Sequence, residues 1–491
     1  MAALDAVVLV CYLAGIVALG SAFGSRQKDA RSYFLADHDV SWLLILLSIV
    51  ATETSTMTFL SVPALVLDDR IGHLGFLQVA VGFIVGRWIV ALWLLPSFFQ
   101  GGLQTAYELL RAAYGPVVQR VASGLFLVTR TVADGLRLYL AAIVVQELTG
   151  LSGPASVWIM GGMTFVYTVF GGMRAVVWTD ALQLLLYLAA ALLSLFVLVD
   201  GLPGGWQQML ELAQSGGRNR IFNLSFDWHD PYTLWVGLLG GAFFSMASHG
   251  ADHLMVQRYL SSRSLRHAQM ALATSGLIVF AQFALFLTIG LGLYGWGELG
   301  LAELANAKPD QAYARFIVLC LPPGVRGLIV AGLMAAAMST LSSSWNSSAH
   351  ALYSDFLSPW LQGRSSELLW ARLLTAMFAL LQGTIALLSL SVTEGRPVVE
   401  QALTIAGMTT GVLLGVFALH LMHWRGPALA VLWGLVCGSA VLAAVWMLGY
   451  LWPQCSIAWP LYPVIGATAT ALGTWLVHQV FVACKRLARG D

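Results

Sequence analysis

The sequence predicts an all-α integral membrane protein of about thirteen transmembrane helices, and composition, apolar runs and charge placement each point there. Of 491 residues, 58% are hydrophobic and 10% charged. Mean hydropathy is +0.79, whereas a soluble domain carries roughly 25% charged residues. Apolar runs near or above the roughly 18 to 20 residues that cross a bilayer recur along the whole chain. No stretch between them is long enough for a soluble domain, so a single transmembrane domain over 1–491 is expected.

In chain order the spans are expected near 6–24, 41–67, 74–99, 117–148, 154–171, 175–200, 232–256, 268–295, 322–356, 366–390, 399–422, 428–449 and 459–483. The first is expected to be a retained helix rather than a cleaved signal peptide. Asp5 precedes it, a basic n-region is lacking, and Arg26, Lys28 and Arg31 follow it. Counting basic residues in alternate loops places the amino terminus outside and the carboxyl terminus in the cytoplasm of a cell (inner or plasma) membrane. The net charge of +1 speaks against nucleic acid as a partner and leaves the lipid bilayer as the expected surroundings. Cys11, Cys320, Cys437, Cys455 and Cys484 show no paired spacing, so neither a zinc site nor a disulfide framework is indicated. The chain also lacks a G-x-x-x-x-G-K-[ST] phosphate loop, so uphill work would draw on an ion gradient or the membrane potential.

Two spans are interrupted. The second carries Ala51, Thr52, Glu53, Thr54, Ser55 and Thr56 at mid-depth, then Pro63, which removes a backbone donor and tends to kink a helix. Five spans later, the seventh carries Gly240, Gly241, Ser245, Ser248, His249 and Gly250. Interruptions at corresponding places in two halves mark an inverted-repeat transporter, here a five-plus-five repeat of the leucine-transporter type. The halves would be 41–200 and 232–422, with one extra helix over 6–24 and two over 428–483.

The ninth span holds a run of hydroxyls, Ser339, Thr340, Ser342, Ser343 and Ser344, where each unpaired polar group costs several kcal/mol in hydrocarbon. Ser339, Ser342 and Ser343 form one helical stripe with Thr340 at its flank. The Ala336 carbonyl lies three and four residues before Ser339 and Thr340, within reach of both hydroxyls. This half-shell of hard oxygens suits a small alkali cation; the same residues also fit a polar seam between helices.

The fourth span carries Arg130, Asp134 and Arg137, spaced so that Asp134 can pair with either arginine and leave one guanidinium over. A spare guanidinium facing a cavity suits bidentate capture of a carboxylate, and an ion-paired cluster that orients the helix is the competing account. His249 lies in the second interruption, where it can hydrogen-bond a solute or simply pack. Phe243, Phe244 and Tyr139 read as packing around the expected cavity, and Asp252 with Arg258 as either a gate or a structural salt link.

The chain also resembles the sodium:solute symporters, the family of the sodium/glucose, sodium/proline and sialic acid transporters. The resemblance rests on YTVFGGMRAVVWTDALQ at 167–183, TAYELLRAAYG at 105–115, VQRYL at 256–260 and AAAMSTLSSSWNSSA at 335–349. It implies a sodium site between the second and ninth spans, formed by the backbone carbonyls of Ala51, Thr54 and Ala336 and the hydroxyls of Ser339 and Thr340. Asp180 with Ser339, Ser342 and Ser343 resembles a second sodium site found in part of the family. Glu53 matches an acidic position of the sodium/proline branch but is one methylene longer. Together with the residues near the interruptions, this gives Glu53, Ser55, Arg137, Phe243, Ser245 and His249 as the candidate solute contacts. The expected function is sodium-coupled symport of a small organic solute (an organic anion, amino acid or sugar) by alternating access, carried out by a monomer. Sodium is the co-transported ion; no enzymatic activity and no organic cofactor are expected. A proton-coupled carrier using Glu53 or Asp180, or a transporter-derived sensor, are the alternatives.

Overall fold

The computed structural model describes residues 2–24, 27–69, 71–299, 308–361, 363, 365–392 and 398–489, so Arg26 lies outside the described residues. The principal helices are α1 (Ala3–Ala22), α2 (Trp42–Glu53), α3 (Thr56–Leu67), α4 (Phe76–Ile89), α5 (Pro116–Thr149), α6 (Gly153–Asp200) and α7 (Leu234–Gly250). They continue with α8 (His253–Leu260), α9 (Leu265–Glu298), α10 (Val325–Leu352), α11 (Glu367–Val392), α12 (Val398–Leu421), α13 (Ala428–Leu451) and α14 (Tyr462–Arg489). Among the described residues, eight helices are long and apolar enough to cross a membrane, or nine if α2 and α3 form one bent span. This is fewer than the thirteen expected. α6 counts once although it has two arms, α7 has 17 residues, and α5 carries Arg120, Arg130, Asp134 and Arg137 along its length.

The first interruption lies at residues 54–55 and not at Pro63, which is accommodated inside α3. Its cause is local capping. Thr54 is extended, at φ −87° and ψ 106°. The Ser55 hydroxyl accepts from the Thr58 amide at 3.3 Å, while the Ser55 amide donates to Thr58 Oγ1 at 3.4 Å. A continuing helix would have given that Ser55 N–H to the Ala51 carbonyl. The capping box that starts α3 therefore leaves the carbonyl end of α2 without its helical donors. The two helices diverge by 57°.

The second interruption lies at residues 251–252, where the Asp252 carboxylate accepts from the Leu254 amide at 2.9 Å and caps α8. Gly240 and Gly241, expected within the interruption, are helical and serve packing instead. A Cβ on Gly241 would sit 2.5 Å from the Val79 carbonyl oxygen, and one on Gly82 2.4 Å from that of Gly237. α4 and α7 thus touch backbone to backbone, as small residues allow between membrane helices.

α10 lies at the centre of the bundle: Ile329 to Ala351 are all buried, with α1, α2, α5, α6 and α11 around them. α6 reaches it with two arms that meet at Gly172, whose φ of 58° and ψ of −160° fall in a region L-residues avoid. A Cβ there would also lie 2.6 Å from the Tyr33 carbonyl oxygen. Gly172→Ala should therefore cost at least the roughly 1–3 kcal/mol of a strained backbone position. A marked fall in melting temperature in detergent is expected, and unchanged melting would contradict this account of the turn.

Candidate functional site

The broken end of α2 faces the hydroxyl stripe of α10. Thr340 Oγ1 donates towards the Thr52 carbonyl at 3.2 Å and the Ala336 carbonyl at 3.3 Å, bridging the two helices. Ala51, Thr54, Ala336, Ser339 and Thr340 are all buried. The Ser339 hydroxyl lies beside the Asp180 carboxylate without forming a close hydrogen bond. Thr54 Oγ1 turns back to the Val50 carbonyl at 3.1 Å and accepts from Gln282 of α9 at 2.5 Å, which directs its side chain away from α10. Of the five residues expected to form the first sodium site, Thr340 and Ala336 thus meet directly, and the α2 carbonyl they meet is that of Thr52, which the expected set lacks.

Asp180, on the second arm of α6, is wholly buried beside this junction. Its Oδ2 accepts from Ser48 at 2.6 Å, Thr52 at 3.3 Å and Ser343 at 3.4 Å, and faces the Arg258 guanidinium at 3.1 Å. Its Oδ1 has no hydrogen-bond partner. Of the expected second-sodium residues, Ser343 touches Asp180, while Ser342 donates to its own helix at the Ser339 carbonyl, 3.0 Å away. Arg258 pairs with Asp180 and not with Asp252, so the expected link between Asp252 and Arg258 does not form.

Glu53, the last residue of α2, meets a partner that sequence reasoning missed. Arg87 of α4 places Nη2 at 2.5 Å from both carboxylate oxygens. His249 Nε2 lies 2.9 Å from Glu53 Oε1 and 3.1 Å from Arg87 Nε, and its Nδ1 is 2.7 Å from the Tyr259 hydroxyl. The Arg87 side chain is 1% exposed and that of Glu53 21%, so the carboxylate is the open end of the cluster. An arginine in mid-span, between Gly86 and Trp88, was itself the signal, because a charge in hydrocarbon needs a counter-ion.

Asp134 pairs with both candidate arginines, Arg130 at 2.6 Å and Arg137 at 2.7 Å. Arg130 also reaches Asp252 at 3.1 Å. With two arginines against two aspartates, no positive charge is left over as the spacing alone suggested; the balancing carboxylate is Asp252, the residue that caps α8, distant in sequence. Arg137 nevertheless lines a narrow cleft with Ser55, Thr56, Leu138, Ala141, Ala337, Thr340 and Leu341, so that Thr340, one of the residues expected to hold the first sodium, is shared with it. Ser245 donates to the Phe83 carbonyl at 3.0 Å, and Phe243 packs against the core, so neither lines this cleft.

Removing one partner of a buried ion pair strands the other, at a cost of roughly 3–5 kcal/mol. Arg87→Met should therefore lower stability strongly, read as melting temperature, and the Glu53→Gln/Arg87→Met pair should recover much of the loss. Equal melting of Arg87→Met and the parent protein would show that the pair is not maintained.

Comparison with known proteins places this geometry in context. The sodium:solute symporter family model matches residues 33–438. The human sodium/iodide cotransporter is 29% identical over 91% of this chain and 69% of its own. The sodium/sialic acid symporter NanT of Aliivibrio fischeri is 26% identical over 97% of this chain and 93% of its own. The structure of a sodium-coupled sialic acid symporter, described as substrate-bound, outward-open and revealing a novel sodium site, superposes with a TM-score of 0.86 at 23% identity, covering 98% of each chain. That likeness shows a shared fold, and the family match over most of the sequence shows more: the chain belongs to the sodium:solute symporter family, whose members are sodium-coupled transporters and not enzymes.

Proposed function

We propose that this chain is a secondary active transporter that moves one small organic solute with sodium by alternating access. The observation that carries the reading is the junction at the break of α2, where the Thr340 hydroxyl bridges the Thr52 and Ala336 carbonyls and Ser339, beside Asp180, lacks a close hydrogen bond. Buried polar groups are normally satisfied, and a small cation would satisfy this one together with the carbonyls. Ala51, Thr54, Ala336, Ser339 and Thr340 are the proposed ligands. All are neutral oxygens, which hold sodium less firmly than a carboxylate and favour release inside.

In this mechanism sodium bridges α2 and α10 in the outward-open arrangement and orders the break at Ser55, which improves the adjacent solute cleft. This is positive coupling between two sites. Solute closes the outer path, inward opening separates α2 from α10, and the shell comes apart. Inward sodium movement gains about 2.3 kcal/mol per charge per 100 mV of membrane potential.

The two interruptions, at 54–55 and 251–252, fall in the first span of each proposed half, which supports the repeat over 41–200 and 232–422. Thirteen spans with the amino terminus outside and the carboxyl terminus cytoplasmic complete the proposed architecture, and the working unit is a monomer. Solute would meet Ser55 and Arg137 in the cleft and the open edge of Glu53, with His249 behind it. An anion leads among solute classes, because Arg137 is partly exposed at 23% and the relatives' names include iodide, monocarboxylates and sialic acid. A proton-coupled carrier is the second reading. His249 Nε2 faces both the Arg87 N–H donor and the Glu53 acceptor, an arrangement that a shifting proton would rearrange.

Sodium, but not potassium at equal ionic strength, should raise the melting temperature. A concentration of 100 times Kd adds roughly 2.7 kcal/mol to stability. Ser339→Ala and Thr340→Ala should abolish the shift; a shift equal in both salts would support the proton-coupled reading. Arg137→Lys keeps the charge but loses the planar fork. Uptake of an anionic solute should fall at least tenfold, and equal uptake by the two forms would remove Arg137 from recognition.

A further inference from the structure

Two buried histidines, at the end of the bundle that the proposed topology turns to the cytoplasm, take no part in the sodium or solute reading. His253 is the first residue of α8, directly after the second interruption, and His350 lies near the end of α10; they are 0% and 1% exposed. Neither falls in the four stretches that carry the family resemblance. His253 Nε2 lies 3.1 Å from His350 Nδ1. His253 Nδ1 lies 3.3 Å from the amide nitrogen of Ala106, where the short helix Ala106–Tyr114 begins. A backbone N–H can only donate, so His253 Nδ1 accepts, its hydrogen sits on Nε2, and His350 Nδ1 accepts in turn. Both basic nitrogens of the pair are thus filled, and a proton added to either ring must break one of the two contacts.

We propose that His253 and His350 form a proton-sensitive latch on the inner path, closed while both rings are neutral and released by acid on the cytoplasmic side. The pair joins α8, α10 and the short helix, and neighbouring contacts reinforce the same seam. Tyr107 donates to the Ala251 carbonyl, inside the interruption, at 3.3 Å, and Gln257 of α8 donates to Asn346 of α10 at 2.8 Å. Phe34 stacks on the His350 ring at 4.8 Å, and Phe126 of α5 meets the edge of His253 at 6.0 Å. The ionisable groups around the pair are engaged elsewhere: Asp252 with Arg130, Asp355 with Thr105, Gln119 and Ser123, Glu108 with the Gln104 amide, and His38 with the Leu260 carbonyl. No carboxylate is therefore placed to hold an imidazolium in the closed seam. Opened to water, an imidazole takes up a proton at its unperturbed value, about 6.5. The closed arrangement is favoured above that value and loses ground as pH falls through it, since protons bind the open form. Between pH 7.5 and 5.5 the balance shifts towards opening by about tenfold per histidine and about a hundredfold for the pair.

The latch rests on the alternating-access reading, and thiol labelling separates the two. Ser347 lies on the face of α10 that carries Ser343 and His350, and its hydroxyl stays within the helix, on the Ser344 carbonyl at 3.1 Å. Ser347→Cys, in the full-length protein with its five native cysteines replaced by serine, reports opening of the seam to a water-soluble thiol reagent. His253→Gln keeps a donor where Nε2 stands and His350→Asn an acceptor where Nδ1 stands, but neither titrates. Dividing the labelling rate by that of the double variant at the same pH cancels the ionisation of the thiol itself. From pH 7.5 to 5.5 this ratio should rise at least tenfold, towards a hundredfold limit; a flat ratio would overturn the latch. If the double variant does not fold, His350→Asn alone replaces it, and the ratio should then rise about tenfold. Sodium at pH 7.5 should slow labelling by holding the outward-open arrangement. A rate indifferent to sodium would contradict the bridging of α2 and α10, whatever the pH ratio shows.

Discussion

The contact between the broken end of α2 and the hydroxyl stripe of α10 is the constraint on which the rest of the structure depends. Carbonyls freed at Thr54 and hydroxyls on a helix buried on every side cannot be left to hydrocarbon. Part of the demand is met within the protein, through Thr340 on the Thr52 carbonyl and Thr56 on the Leu333 carbonyl at 3.0 Å. Elsewhere on α10 the side chains of Ser339, Asn346 and Ser348 keep polar atoms without a close hydrogen bond, Ser339 lying beside Asp180. What distinguishes Ser339 from a residue of a polar helix seam is its place beside the broken end of α2, where carbonyls without helical donors gather with the Thr340 hydroxyl.

Charge is handled by the same logic of local neutrality. Glu53 with Arg87, Asp180 with Arg258, and Arg130 and Arg137 with Asp134 and Asp252 are each balanced within a few ångströms. Every one of these clusters includes or touches a residue of α7 or α8: His249, Arg258 or Asp252. Motion at the second interruption therefore cannot occur without disturbing ion pairs on α2, α5 and α6. Such pairs add little net stability against an apolar replacement, but breaking one side is costly, which suits an element with two discrete arrangements.

Much of this was legible in the sequence, and the limits have physical causes. Apolar runs located the eight or nine helices that are long and apolar enough to cross a membrane, and both interruptions were visible as polar or glycine-rich segments. Their exact sites were not. Pro63 looked like the kink, but the Ser55/Thr58 capping box, which competes directly with the helix, decides the matter eight residues earlier, at Ser55. Gly240 and Gly241 looked like breakers and proved to be contact points, Gly240 for Pro460 and Gly241 for α4, a role that depends on what lies opposite. The partners of Glu53 and Arg130 were likewise invisible, since Arg87 and Asp252 reach them only through the packing of helices remote in sequence. The hydroxyl stripe needed only helical periodicity, which is why it could be read directly.

Amide hydrogen exchange across residues 51–56 and 336–343 tests the central claim most directly, because local opening free energies report whether an ion ties the two segments together. Sodium should slow exchange in both segments at once relative to potassium at equal ionic strength, while distant helices such as α13 stay unchanged. Identical exchange in the two salts, or protection confined to one segment, would contradict an ion bridge between α2 and α10.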